Sequence, residues 1–70
     1  MSKKDIDIAY FVSFCIEQYK KHIKLKGETV SKLFFKNDVI DYLSTNYDVL
    51  HTQSSQGLIE EIDNFLEGRK

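Results

Sequence analysis

Asp48 and His51 stand three residues apart inside the run Tyr47-Asp48-Val49-Leu50-His51-Thr52-Gln53, the densest group of hydrogen-bonding side chains in the chain. If the backbone there is helical, that spacing lets the carboxylate orient the imidazole, which is one half of an acid/base pair. The other half is missing. No Ser or Cys nucleophile, second carboxylate or oxyanion donor is tied to the pair by a recognisable pattern, so general acid/base catalysis lacks its remaining parts. Tyr47, Asp48, His51, Thr52 and Gln53 therefore read as a binding segment, or as residues that bond loop backbone and start the last helix, and not as catalytic residues. The run breaks an otherwise helical pattern, and segments held between rigid elements are where surface sites concentrate.

The other reactive side chains have structural explanations. His22 lies at the edge of an apolar helical face, where it could join His51 as a second metal ligand, but zinc sites draw three or four ligands from the protein, so no metal or other cofactor is expected. Cys15 falls in the middle of the same face and should behave as a small hydrophobe with a raised thiol pKa. As the single cysteine it also excludes an internal disulfide and a paired-cysteine zinc motif. A reducing cytoplasm fits this usage. Asp5 and Asp7 stand where a secretory leader needs an apolar run, and no apolar stretch reaches the roughly 20 residues of a membrane span.

The elements that must position these groups can be read from hydrophobic periodicity. From about Lys4 to Leu25 there is no Gly or Pro, and at helical spacing Ile8, Phe11, Val12, Cys15, Ile16, Tyr19 and Ile23 share an arc of about 140°. Lys20, Lys21 and Lys24 lie opposite. Tyr10 and Phe14 fall outside the arc, toward the polar side, and together with Phe11 are expected to anchor an interface. Gly27 is expected to close this helix with a left-handed residue. A second helix over about Glu28 to Phe35 carries Val30, Leu33 and Phe34, and Lys36-Asn37 reads as the next turn. Asn37 or Asp38 should cap a third helix bearing Val39, Ile40 and Leu43, with Asn46 as a left-handed stop. Thr52, Ser54 or Ser55 should start a fourth, which buries Leu58, Ile59, Ile62, Phe65 and Leu66, turns Glu60, Glu61, Asp63 and Glu67 to water, and ends at Gly68. A strand at Tyr47 to His51 would be five residues long and would lack a partner strand. The expectation is an all-α single domain over residues 1–70, a compact bundle of about four helices: one long N-terminal, two short in the middle, one C-terminal.

With 41% apolar and 13% aromatic residues the chain is rich enough to fold, yet its 70 residues are near the lower limit for a self-sufficient core. Formal net charge is only -1. Up to Lys36, eight Lys stand against Asp5, Asp7, Glu17 and Glu28, a net of +4, while beyond it Arg69 and Lys70 stand against seven acids, a net of -5. Such asymmetry can steer head-to-tail or antiparallel association. The lysines also raise nucleic-acid binding as an alternative, but the third helix offers Asp38, Asp41, Tyr42 and Ser44 where a recognition helix needs Arg, Asn, Gln or Lys.

Three stretches, Phe14 to Lys20, Leu33 to Leu43 and Tyr47 to Gln53, together resemble domain-of-unknown-function family 3791, small helical bacterial proteins. The resemblance runs from about Ile8 to Leu66, and the Leu50-His51-Thr52-Gln53 run before an acidic helix is its most specific part. It marks Tyr47, Asp48, Leu50, His51, Thr52 and Gln53 without giving any of them a catalytic task. It implies an antitoxin-like or accessory partner of a neighbouring gene product similar to ADP-ribosyltransferases. Lys26 departs from the small polar cap the family places before Gly27, so the start of the second helix is expected to be less well fixed. The function expected is a cytoplasmic, non-enzymatic protein-protein interaction module, associating with itself, a dimer being favoured, or with a second protein. A minimal ligand-binding protein using the 47–53 segment is the other alternative.

Overall fold

A computed structural model describes residues 2–68, which form five helices: α1 (Lys3–Ile23), α2 (Gly27–Lys36), α3 (Val39–Thr45), α4 (Tyr47–Leu50) and α5 (Ser55–Glu67). There is no strand among the described residues. Arg69 and Lys70, counted above in the charge of the acidic half, lie outside them.

α1 begins in a reciprocal capping box. The Ser2 hydroxyl accepts the Asp5 amide at 3.2 Å and the Asp5 carboxylate accepts the Ser2 amide at 3.4 Å, which satisfies two of the free donors at a helix start. The helix stops earlier than its glycine implies. Lys24 itself turns left-handed, with φ 58°, and no glycine in the described chain has positive φ. A non-glycine residue there costs roughly 1–2 kcal/mol. Stopping at Ile23 leaves Leu25 and Lys26 as the link that folds α2 back, so that Phe34 meets Tyr19 with ring centroids 5.4 Å apart. Gly27 becomes the first residue of α2. Lys26 precedes it without a side-chain capping bond, as the departure from the family pattern implied.

Two asparagines end the middle helices by a device different from the one expected. Asn37 donates its side-chain amide to the Leu33 carbonyl at 2.9 Å, and Asn46 donates to the Tyr42 carbonyl at 2.9 Å. Each side chain thus adds a second hydrogen bond to a carbonyl that already accepts the backbone amide of the same asparagine. Asn46 is not left-handed (φ -103°), and Asp38, which is (φ 61°), begins α3 without a side-chain cap. For α5 the cap is Ser54, whose hydroxyl accepts the Gly57 amide at 3.2 Å. Its end at Gly68 is also not left-handed (φ -69°).

Every helix contributes to one buried cluster, in which Cys15, Val30, Phe34, Val39, Leu43, Leu58 and Ile62 are almost wholly enclosed. Each such aliphatic or aromatic side chain contributes about 1.5–3 kcal/mol by leaving water. Among the described residues, no helix is long and apolar enough to cross a membrane.

Candidate functional site

The 47–53 segment is less irregular than its sequence implies. Tyr47–Leu50 forms one helical turn, α4, and a turn over 51–53 leads to Ser54. Leu50 anchors it in the core, 3% exposed. The helical spacing that would pair Asp48 with His51 is present, yet the pair does not form. Lys4 Nζ takes the Asp48 carboxylate at 3.1 Å, and both groups are exposed, so the bridge is worth under about 1 kcal/mol. The His51 ring stacks on Tyr47, centroids 4.6 Å apart, and its Nδ1 donates to the Tyr47 carbonyl at 2.7 Å. Thr52 spends its hydroxyl on the Val49 carbonyl at 2.9 Å. Asp48 thus ties α4 to α1 and Thr52 fastens the turn, and neither is among the residues that line the groove beside them.

The remaining residues of the segment meet α1. Tyr47 is set edge-on to Phe11 at 5.4 Å, and Tyr47, His51 and Gln53 join Asp7, Tyr10, Phe11, Phe14 and Leu58 around an open groove of about 420 Å³. The candidate binding residues and the candidate interface residues, some 40 positions apart in sequence, therefore form one surface feature. Phe11 is its floor and not an exposed anchor, being only 9% exposed and part of the core, as its place in the apolar arc of α1 requires. Tyr10 and Phe14 are 73% and 44% exposed along one wall. The Tyr47 hydroxyl, His51 Nε2, the Gln53 amide and the half-buried Asp7 carboxylate have no hydrogen-bond or ion-pair partner among the described residues. Asp7 was not singled out from sequence. One turn before Tyr10 on the same helix, its spacing was the available signal.

A second polar cluster has partners that the sequence reading did not join. Tyr19 donates its hydroxyl to Asp63 Oδ1 at 2.6 Å, while His22 Nε2 lies 3.3 Å from Oδ2 of the same carboxylate. Burial, reinforced by the hydrogen bond and charge of Asp63, pushes the Tyr19 phenol well above its usual pKa. Tyr42 donates to Glu61 at 2.9 Å and stacks on Phe65, and its phenol is raised for the same reasons, burial first. Asp63 and Glu61 thus hold α5 to α1 and α3, and are not simply turned to water. The two histidines belong to different clusters, His22 with Tyr19 and Asp63, His51 with Tyr47, so they do not act as a ligand pair. Burial also pushes the Cys15 thiol up to about 12, in keeping with an inert core residue.

The model of the family described as a protein of unknown function, DUF3791, matches residues 10–69. The chain belongs to that family. The match takes in α2 through α5 and all but the first turns of α1, so the Tyr10, Phe14, Tyr47, His51 and Gln53 sides of the groove lie within the family domain, while Asp7 precedes it. No curated protein and no solved structure matches the chain.

Proposed function

We propose that this DUF3791 chain is a protein-protein interaction module that acts by burial and not by chemistry, and that the groove between α1 and α4 is its docking surface. The observation that carries this reading is the company the exposed aromatics keep. Tyr10 and Phe14 stand beside four polar groups with no partner among the described residues: the Tyr47 hydroxyl, His51 Nε2, the Gln53 amide and Asp7. Aromatic side chains bury about 150–250 Å² each at little rotamer cost, and polar groups at their rim add direction, which is the composition of an interface centre. The groove is open and so does not exclude water, and Asp48 is tied to Lys4 instead of pairing with His51.

The occupant proposed is an apolar side chain of a second polypeptide, from another copy of this chain or from the ADP-ribosyltransferase-like neighbour that the family resemblance implies. Phe14→Glu places a charge in the groove wall and is expected to weaken association by about 2 kcal/mol, roughly thirtyfold, with helicity unchanged. Light scattering in high salt tests self-association, and co-purification with the neighbouring gene product tests the heteromeric case. A variant that associates like wild type in both experiments overturns the reading.

A further inference from the structure

The face of α1 that turns away from the core has Phe14 at its centre and opposite charges at equal distances from it. Asp7, Phe14 and Lys21 follow one another at intervals of seven residues, so on a helix they fall within about 40° of one another and form one stripe. Tyr10 and Gln18 flank Phe14 along it. Tyr10, Phe14 and Lys21 are exposed and Asp7 is half-buried, and neither charge has an ion-pair partner among the described residues. The neighbouring charges are spent or stand aside. Lys4 is held by Asp48 and Glu17 by Lys20, Lys3 stands one turn outside Asp7, and Lys24 is the left-handed residue that ends the helix. The helix dipole does not account for Asp7, which follows the first turn, where Asp5 already serves the cap.

A stripe with an apolar centre and ends of opposite charge is complementary to itself when a second copy runs the other way. We infer that two copies of this chain pair α1 against α1, antiparallel, about a two-fold axis beside Phe14. This rests on the docking role given to the groove and names its occupant: Phe14 of the second copy is the apolar side chain that meets Phe14 at the groove's mouth. Asp7 of each copy then faces Lys21 of the other, because both stand roughly 10 Å from the axis along the helix, in opposite directions. Tyr10 comes level with Glu17 and Gln18 of the second copy. A parallel pair would set Asp7 against Asp7 and Lys21 against Lys21, so charge also selects the direction. Lys3 comes level with the end of the second copy's helix, where Lys24 has turned off the stripe; both side chains are long and exposed, so they can swing apart. The charged pairs lie at the surface, and salt therefore weakens the association without removing its aromatic centre.

Sedimentation velocity on the full chain at low salt, up to near-millimolar concentration, tests the register. Wild type is expected to show a monomer-dimer equilibrium and nothing larger, since a two-fold contact closes on itself. Asp7→Lys and Lys21→Asp should each weaken the dimer roughly tenfold, because each turns two attractions into two repulsions, with the helical spectrum unchanged. Combining Asp7→Lys with Lys21→Asp should bring the dimer back to within about threefold of wild type. Asp7→Lys with Lys36→Asp has the same net charge, yet should stay weak, because Lys36 is on α2 and cannot replace the charge at position 21. A monomeric wild type, single changes that leave the dimer as strong, or a double swap no better than the Lys36 combination would overturn the inference. Each of those results leaves the docking role of the groove to be judged by Phe14→Glu and by co-purification. Association lost in Phe14→Glu but indifferent to the charge changes means that the groove receives a different surface.

Discussion

Replacing Tyr19 by Phe removes one oxygen atom from the contact between α1 and α5 and leaves the packing nearly intact. The Tyr19 ring is 5% exposed and lies against Phe34 and His22, with centroids 5.4 and 5.7 Å away, contacts that Phe would keep. What is lost is a 2.6 Å bond from the hydroxyl to the Asp63 carboxylate. Hydrogen bonds to charged groups contribute about 1.5–3 kcal/mol. The Asp63 side chain is 45% exposed and retains His22, so water and the imidazole recover part of the loss, and the lower end of the range, about 1.5 kcal/mol, is expected. For a chain of this size that lowers Tm by roughly 6–12 °C. Thermal and urea unfolding followed by circular dichroism would measure it. The pH dependence supplies a second signature. The folded state holds the Tyr19 phenol above its ordinary value, so it favours the protonated form. This stabilisation is complete below the unfolded phenol pKa of about 10 and is lost as pH rises through the higher folded value. The advantage of wild type over Tyr19→Phe should therefore be constant from neutral pH up to about pH 10 and shrink above it, while Tyr42 and the lysines, common to both proteins, cancel. A Tyr19→Phe protein within about 0.3 kcal/mol of wild type at neutral pH, or a difference that does not shrink in alkali, would refute the reasoning.

Two further outcomes follow from the core. Cys15 is 1% exposed and its thiol is pushed up to about 12, so it should react with a thiol reagent at pH 8 at least about a hundredfold more slowly than free cysteine, and fully once urea unfolds the chain. Rapid labelling of the native protein would contradict its placement. Phe34 is completely buried, and Phe34→Ala should cost about 3–5 kcal/mol, comparable to the whole stability of a small domain, so the helical signal should collapse at 25 °C.

Much of this molecule is written in local patterns. The arc of α1 predicts that Phe11, Cys15 and Tyr19 turn inward and that Tyr10 and Phe14 do not, and the burial of these five side chains agrees. Ser54 could be read as a cap because capping depends on three or four consecutive residues. Helix ends were read less well. Gly27 drew the boundary of α1 two residues too far, because propensity favours glycine in a left-handed turn while the need to return Val30 and Phe34 to Cys15 and Tyr19 outweighs the strain at Lys24. The same limit made a loop of Tyr47–Leu50, whose single helical turn rests on Leu50 being buried by the rest of the bundle.

Sequence by itself determined the all-helical class, the core face of each long helix and the burial of Cys15, since these depend on a period of 3.6 residues and on apolar content, both local quantities. Only the tertiary structure decided which polar groups are spent. It gave Asp48 to Lys4 and not to His51, and joined Tyr19 to Asp63 across 44 residues. It also set the Tyr47 turn beside the exposed wall of α1. The reason is geometric: a hydrogen bond forms within about 3 Å, and which side chains come that close is set by how helices cross, a relation between elements that no single stretch of chain contains.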